Sequence, residues 1–186
     1  VGEEKMSKEL TGQIAEIPGP IKALVVIKEP KVAAAIIKKA KRPLIIVGDL
    51  TTKYDEKGFD SVSLITEVGK AVNAHINVTG PLIRKFRETG YDKVYLMSTP
   101  EVVDRLRDES WKGHDGNGGY DLVIFIGFRY YYAWLMLNGL KHYAFKWLKT
   151  MSLDPYYQPN ATYTLPTMKI GEWREFIKKI LNIIKG

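Results

Sequence analysis

The sequence predicts a three-layer α/β fold, with a mainly parallel sheet of five to six strands and helices on both faces. Two short runs, 44–47 and Leu122–Ile126, are apolar at every position, and a glycine follows each of them. Such runs are typical of strands that are buried on both faces of a parallel sheet. Segments with helical spacing of apolar residues alternate with the runs, and this alternation requires crossover connections. The pattern therefore indicates one Rossmann-like domain over residues 1–186.

The elements follow one another in a regular order. Residues 1–27 contain glycines and prolines without a sustained period, and we interpret them as an N-terminal arm or cap, with a possible strand at 23–27. Pro30 suits the first turn of a helix over 31–40, and Pro43 requires that helix to end before it. The remaining pattern predicts strands at 44–47, 75–78, 93–97, 122–126 and 149–153, and helices at 58–73, 81–88, 100–108, 130–143 and 172–184.

The composition excludes several kinds of chemistry. The chain has no cysteine and three histidines, His75, His114 and His142, which are widely spaced and lack the pairing of zinc ligands. These residues cannot supply a thiolate nucleophile, a disulfide or an iron–sulfur cluster. The sequence also lacks paired carboxylates, a nucleophile elbow and a phosphate-loop lysine motif. We therefore expect no catalytic residue and no metal ligand in this chain, and no catalytic activity of the chain alone.

The net charge of +7 raises the question of a nucleic acid partner. The lysines are scattered among acidic residues, and the dense basic clusters at 38–42 and 178–179 look like polar faces of amphipathic helices. We therefore expect no nucleic acid partner. The apolar runs are too short to cross a membrane, and residues 1–10 lack the apolar stretch of a secretion signal. We expect a cytoplasmic protein without membrane contact.

Candidate ligand contacts lie where the predicted strands end. In an open parallel sheet, ligands bind beyond the carboxyl ends of the strands, where glycine turns and helix N-termini offer N–H groups to a phosphate. Arg129 would add a forked donor for a pyrophosphate, and Asp154 would accept a hydrogen bond from a ribose hydroxyl. The alternatives are tight turns at the glycines, a salt bridge or partner contact at Arg129, and a plain turn at Asp154. The candidate cofactor-binding residues are Gly48, Asp49, Thr79, Gly80, Gly127, Arg129 and Asp154.

A glycine-rich segment at 113–119 resembles a dinucleotide-binding fingerprint in composition only. The fingerprint follows a strand and opens a helix, whereas this segment follows a predicted helix and precedes the strand Leu122–Ile126. We interpret it as a flexible loop. The residues after Gly48 also lack the fingerprint spacing, so dinucleotide binding at that turn would be non-standard.

Aromatic residues are concentrated from the predicted helix at 130–143 onward. Neighbouring residues on a helix point about 100° apart, so the three consecutive tyrosines at 130–132 cannot all face one core. Aromatic side chains could stack on a flavin or a base, but we favour a protein interface, where Tyr and Trp are enriched. The loop at 154–161 is either a plain connection or a docking loop. The predicted partner contacts are Tyr130, Tyr131, Trp134, Tyr156 and Tyr157.

Residues 37–48, with the sequence IKKAKRPLIIVG, combine a helix end, an apolar strand and a glycine. This segment resembles the opening of the central domain of thiamine-diphosphate enzymes, a Rossmann-like domain that holds FAD in some relatives. Residues 77–80, with the sequence NVTG, are similar to the second strand and the Thr-Gly turn of that domain. The chain offers no flanking thiamine-binding domains, so we do not expect such an enzyme.

A second resemblance covers nearly the whole chain. The segment DLVIFIG at 121–127, the tyrosine-rich helix start and the segment LDPYYQPNA at 153–161 are similar to the epsilon subunit family of the archaeal acetyl-CoA decarbonylase/synthase complex. This resemblance implies a non-catalytic subunit that binds and stabilises the nickel–iron carbon monoxide dehydrogenase alpha subunit, in an alpha2epsilon2 component, or that helps electrons to pass to FAD during CO oxidation. It carries over no catalytic residue. It implies that nickel and clusters belong to the partner, in agreement with the absent cysteines.

An alternative hypothesis is an FAD- or nucleotide-binding electron-transfer module that acts without the dehydrogenase. It depends on the Rossmann-like alternation and on the glycines at the strand ends. If a ligand lies on the first of these turns, we expect Gly48→Val to weaken its binding. Titration with FAD separates this hypothesis from the accessory-subunit hypothesis.

Overall fold

A sheet of seven parallel strands runs through the molecule, and helices cover both faces. The computed structural model describes residues 21–186. The strands are β1 (Val25–Val26), β2 (Pro43–Val47), β3 (His75–Val78), β4 (Val94–Leu96), β5 (Leu122–Ile126), β6 (Lys149–Ser152) and β7 (Tyr163–Thr164). The helices are α1 (Pro30–Lys39), α2 (Ser61–Val72), α3 (Ile83–Glu88), α4 (Thr99–Leu106), α5 (Tyr130–Tyr143) and α6 (Ile170–Lys185), with 3₁₀ turns at Thr51–Tyr54 and Gly80–Leu82.

The predicted α/β class is confirmed, but the sheet has seven strands rather than five to six. The possible strand at 23–27 is β1, which pairs with β7 at one edge of the sheet. β7 was not predicted, because a strand of two residues is too short to show either alternation or a continuous apolar run. Residues 1–20, which form the rest of the predicted arm, lie outside the described residues, so that part stays a prediction.

The order of the strands is β1-β7-β6-β5-β2-β3-β4. From β2 the chain proceeds through β3 to β4 on one side, and then returns to place β5 on the other side of β2. The direction of winding therefore reverses between β2 and β5, which pair in register from Pro43↔Leu122 to Val47↔Ile126. Ligands of open α/β sheets bind at the carboxyl end of such a switch point. We refer below to the carboxyl ends of β2 and β5 as the switch point.

Two hydrophobic cores lie on the two faces of the sheet. Because side chains alternate along a strand, Ile45 and Val47 of β2 enter one core, while Leu44 and Ile46 enter the other. Helices α1, α2, α3 and α6 close the first core, and α4 and α5 close the second. Among residues 21–186, none of the helices combines the length and the apolar character that a bilayer crossing requires.

Two helix boundaries differ from the predicted ones for local reasons. Helix α2 begins at Ser61 rather than at residue 58, because the Asp60 carboxylate accepts hydrogen bonds from the first-turn amides of Val62 and Ser63. Hydrogen bonds from Ser63 also lower the pKa of Asp60. The segment predicted as one helix at 81–88 is divided into a 3₁₀ turn, which contains Pro81, and the short helix α3.

Candidate functional site

The predicted ligand-binding residues lie along the carboxyl edge of the sheet, but they do not form one site. Gly48 and Gly127 follow the adjacent strands β2 and β5, so they meet at the switch point. Asp154 follows β6 and lies beside them. The other four residues are on the rim: Asp49, Gly80 and Arg129 are exposed, and Thr79 is half-buried.

The turns after β2 and β5 are joined directly to each other. The amide of Gly48 donates to the carbonyl of Ile126 at 2.9 Å, and the amide of Leu50 donates to the carbonyl of Gly127 at 2.9 Å. A Cβ atom on Gly48 would lie 2.3 Å from the Gly127 carbonyl oxygen. Gly127 itself has a φ of +82°, a conformation that favours glycine. Both glycines are therefore required by the close approach of the two turns to each other, whatever they bind.

Asp154 is directed into the protein rather than toward solvent. Only 1% of its surface is exposed. One carboxylate oxygen accepts from the Gly127 amide at 2.6 Å, and both oxygens accept from the Phe128 amide at 3.3 Å. Burial raises the pKa of Asp154 to about 7, while the amide hydrogen bonds act in the opposite direction. The carboxylate that we expected to meet a ribose hydroxyl thus faces the amides of its own chain.

The residues at the switch point do not fit the pyrophosphate of FAD in the pose that is usual for this class of fold. The two amides that would bind a phosphate already donate to Asp154. The Phe128 side chain, which is 3% exposed, lies against the Gly48 turn and takes up the adjacent space. FAD binding stays a prediction, and the switch point gives it no support.

The rim residues show no arrangement that converges on a ligand. A Cβ atom on Gly80 would meet no other atom within 4 Å, so the chain needs no close approach there. The Thr79 hydroxyl is buried and has no hydrogen-bond partner among residues 21–186. Within the same residues, Arg129 forms no salt bridge, and it precedes the first turn of α5 with its side chain exposed.

The predicted partner contacts lie together, at the start of α5 and on the loop after β6. Tyr131 is 64% exposed, Tyr130 is 46% exposed and Tyr156 is 38% exposed, while Trp134 and Tyr157 are half-buried. We call these five residues the aromatic patch. Since the exposed side chains are large and partly apolar, they provide the kind of surface that anchors a protein interface.

Two buried amides that we did not single out from the sequence hold this surface in place. Gln158 donates through Nε2 to the carbonyl of Tyr130 at 3.0 Å, and Asn160 donates through Nδ2 to the carbonyl of Trp134 at 3.2 Å. Both side chains are at most 1% exposed. They fasten the loop after β6 to the first turns of α5, and the aromatic patch is thereby a fixed surface.

A second polar and aromatic cluster, which we did not predict from the sequence, lies at the amino ends of the strands. His75 Nδ1 and the Tyr120 hydroxyl share a hydrogen bond of 2.7 Å, whose donor depends on the tautomer of the imidazole. The same hydroxyl accepts a hydrogen bond from the His114 amide at 3.0 Å. The His114 ring stacks on Tyr95, with ring centres 4.4 Å apart and an interplanar angle of 7°. The cluster therefore joins the starts of β3 and β5 to the segment at 113–119.

The glycine-rich segment is a loop before β5, as predicted, but this cluster anchors it, so the predicted flexibility of the loop has no support from these contacts. The guanidinium of Arg42 donates to the Asp115 carboxylate at 2.5 Å. That hydrogen bond holds the pKa of Asp115 well below its usual range. Gly113, Gly116 and Gly118 have φ values of +76°, +75° and +133°, so the glycines allow the loop to turn back on itself.

The described part of the chain contains no candidate metal-binding site. Among residues 21–186, no group of three or more His, Asp or Glu side chains converges as a metal site would require. His75 and His114 are in the cluster described above, while His142 is exposed on α5.

Because His75 and His114 are buried together, we expect the free energy of unfolding to fall on mild acidification. Burial lowers the pKa of His75, and it lowers the pKa of His114 to about 4, with nearby His75 and Arg105 acting in the same direction and Asp115 opposing them. The folded state therefore favours the neutral rings. Their contribution is fully present above the ordinary pKa of 6.5 and is lost as the pH falls from 6.5 toward about 4.

We expect His114→Phe to remove about 1 kcal/mol of this pH dependence, after allowance for the partial exposure of the ring. Phenylalanine can keep the stack on Tyr95 but cannot be protonated. The measurement is the free energy of unfolding in urea as a function of pH. His142→Phe, at an exposed position on α5, is the control substitution. Equal pH profiles for wild type and His114→Phe would contradict the prediction.

Comparison with known proteins identifies relatives along almost the whole chain. Residues 8–181 match the family model described as "CO dehydrogenase beta subunit/acetyl-CoA synthase epsilon subunit". The match includes the switch point, the aromatic patch and the histidine cluster.

Individual relatives carry consistent names. The chain is 37% identical over 166 residues to the acetyl-CoA decarbonylase/synthase complex subunit epsilon 1 of Archaeoglobus fulgidus, with 89% of this chain and 86% of the relative covered. It is 36% identical over 164 residues to subunit epsilon of Methanothermobacter thermautotrophicus, covering 88% and 90% of the two chains. It is 40% identical over 155 residues to subunit epsilon of Methanothrix soehngenii, covering 82% and 78%.

Proposed function

Because this chain belongs to the family of CO dehydrogenase beta subunits and acetyl-CoA synthase epsilon subunits, we propose that it is a non-catalytic subunit of an acetyl-CoA decarbonylase/synthase complex. Its partner in this proposal is the nickel–iron carbon monoxide dehydrogenase alpha subunit, in an alpha2epsilon2 component. The named relatives come from archaea.

The absence of cysteine supports a subunit without catalytic clusters of its own. Iron–sulfur clusters are held by Cys thiolates, and the whole chain contains no cysteine. Cluster ligands in such a complex must therefore come from another subunit. The task left for this chain is to bind that subunit and stabilise it.

The observation that carries the docking proposal is the exposure of the aromatic patch on a rigid support. Protein interfaces are enriched in Tyr and Trp, and the residues that dominate binding are usually rigid aromatic anchors. Leu135, one turn after Tyr131 on α5, is 56% exposed and extends this apolar surface along the helix. Hydrogen bonds from Gln158 and Asn160 fix the loop against α5, so little conformational entropy is lost when a partner binds.

Substitution of an aromatic anchor tests this surface. We expect Tyr131→Ala to weaken binding of the dehydrogenase subunit by about tenfold or more, because a central anchor contributes about 1–2 kcal/mol or more to an interface. The free energy of unfolding should change by less than about 0.5 kcal/mol, since the side chain is mostly exposed. Calorimetric titration measures the dissociation constant, and urea unfolding measures the stability.

Tyr143→Ala is the matched control. Tyr143 is on the same helix and is 61% exposed, close to the 64% of Tyr131, but it lies at the opposite end of α5. Its ring contacts the Arg107 guanidinium at 4.3 Å and is not part of the aromatic patch. Binding should be unaffected by this change. If both variants weaken binding equally, or neither does, the aromatic patch is not the docking surface.

Assistance with electron transfer to FAD is a separate proposal, and no observation at the switch point favours it. FAD titration of the chain, alone and together with the dehydrogenase subunit, tests it directly. Quenching of flavin fluorescence would support a flavin role, and unchanged fluorescence in both titrations would remove it.

A further inference from the structure

We propose that the Asp154 carboxyl group fills the phosphate position of the switch point and prevents a dinucleotide from binding across β2 and β5. The inference concerns the sheet edge rather than the aromatic patch, and it is independent of the proposed partner.

The first support is the position of the carboxylate. The Gly127 turn lies between the end of β5 and the start of α5, and such a junction is where an α/β sheet offers N–H groups to an anion. The amides of Gly127 and Phe128 are successive donors, and the positive φ of Gly127 turns them toward one point. The Asp154 carboxylate occupies that point, at 2.6 Å and 3.3 Å from the two nitrogens.

The second support is that the described structure provides no other polar partner for the Asp154 carboxyl group. Among residues 21–186, no Lys, Arg or His forms a salt bridge with Asp154. Within that part of the chain, its oxygens accept hydrogen bonds from the two turn amides alone. A carboxylate that is 1% exposed is costly to bury unless its oxygens are satisfied, and these two amides satisfy them.

The third support is steric. The Gly48 turn hydrogen-bonds across to the Gly127 turn, and a single Cβ atom on Gly48 would lie 2.7 Å from the Phe128 ring. A pyrophosphate is much larger than a methyl group. A dinucleotide could therefore enter only by displacing Asp154 and separating the two turns, so a flavin that accompanies the complex would bind elsewhere.

Chemical rescue by a small anion tests the inference. We expect Asp154→Ala to be destabilised, and formate or phosphate to raise its ratio of folded to unfolded protein by about tenfold at about 100 mM, measured against chloride at equal ionic strength. The same anions should have no such effect on the wild type, because its amides already have their acceptor. If formate and phosphate stabilise both proteins equally, or neither, the inference is wrong.

If Asp154→Ala does not fold, a second measurement on the wild-type chain tests the inference. The amide NMR signals of Gly127 and Phe128 in the wild-type chain are followed during titration with ADP and with FAD. Unchanged signals support the inference, whereas saturable shifts confined to these two amides and the Gly48 turn overturn it. Neither result depends on whether the dehydrogenase subunit binds, so failure here is distinguishable from failure of the docking proposal.

Discussion

Gly127→Ala is expected to destabilise the fold by at least about 3 kcal/mol, enough to leave much of the chain unfolded. A Cβ atom at this position would lie 1.8 Å from the Thr51 hydroxyl and 2.7 Å from the Thr51 amide nitrogen, and the latter belongs to backbone that cannot rotate away. The φ of +82° adds conformational strain for any residue with a side chain. Urea unfolding followed by circular dichroism measures the loss.

Gly139→Ala is the control for that substitution. Gly139 lies within α5, and a Cβ atom there would meet nothing within 4 Å. Alanine should be neutral there or stabilise the helix by about 0.5–1 kcal/mol. Wild-type stability of Gly127→Ala would show that the two turns are not in contact. The same crowding applies to Gly48→Val, so a loss of ligand binding in that variant would reflect a damaged fold and would not locate a ligand.

Trp173→Ala is expected to lower the free energy of unfolding by about 4 kcal/mol. Trp173 is fully buried in the first core, where its ring centre lies 5.0 Å from that of Tyr54 and 5.6 Å from that of Phe59. Its indole Nε1 donates to the carbonyl of Leu153 at 2.6 Å, next to Asp154. Alanine would leave a large cavity and would leave the Leu153 carbonyl without this donor.

Two variants separate the causes of that loss. Trp173→Phe keeps most of the packing but removes the indole N–H, so we expect a smaller cost of about 1–2 kcal/mol. Phe176→Ala, on the same helix at a partly buried position, should cost about 1 kcal/mol. Equal costs for Trp173→Ala and Phe176→Ala, measured by urea unfolding, would contradict the assignment of Trp173 as the centre of this core.

The sequence predicted the central strands closely because their signal is local. β3 and β5 have the predicted bounds, and every residue of both strands is buried. In β5 a continuous apolar run marks the strand directly. β7 could not be predicted in this way. Its two residues join the sheet because β6 and β1 lie on either side of them, and that arrangement is set by tertiary packing.

The candidate site was predictable only in part. Gly48 and Gly127 meet because parallel neighbouring strands end at the same edge, which the alternation of elements already implied. The role of Asp154 depends on register: Ser152 pairs with Phe125, so the residue two positions after Ser152 lies opposite Gly127. No spacing in the sequence reports that register. The histidine cluster was missed for a similar reason, because His75 and Tyr120 are 45 residues apart in the chain.

Co-elution of this chain with the nickel–iron carbon monoxide dehydrogenase alpha subunit is the most direct test of the proposed function. Size-exclusion chromatography with light scattering gives the mass of the complex, and absorbance at protein and flavin wavelengths is recorded on the same peak. We predict a single peak that contains both chains in equal numbers, that dissociates at higher protein concentration with Tyr131→Ala than with the wild type, and that is unchanged with Tyr143→Ala. Separate elution of the two wild-type chains would contradict the account.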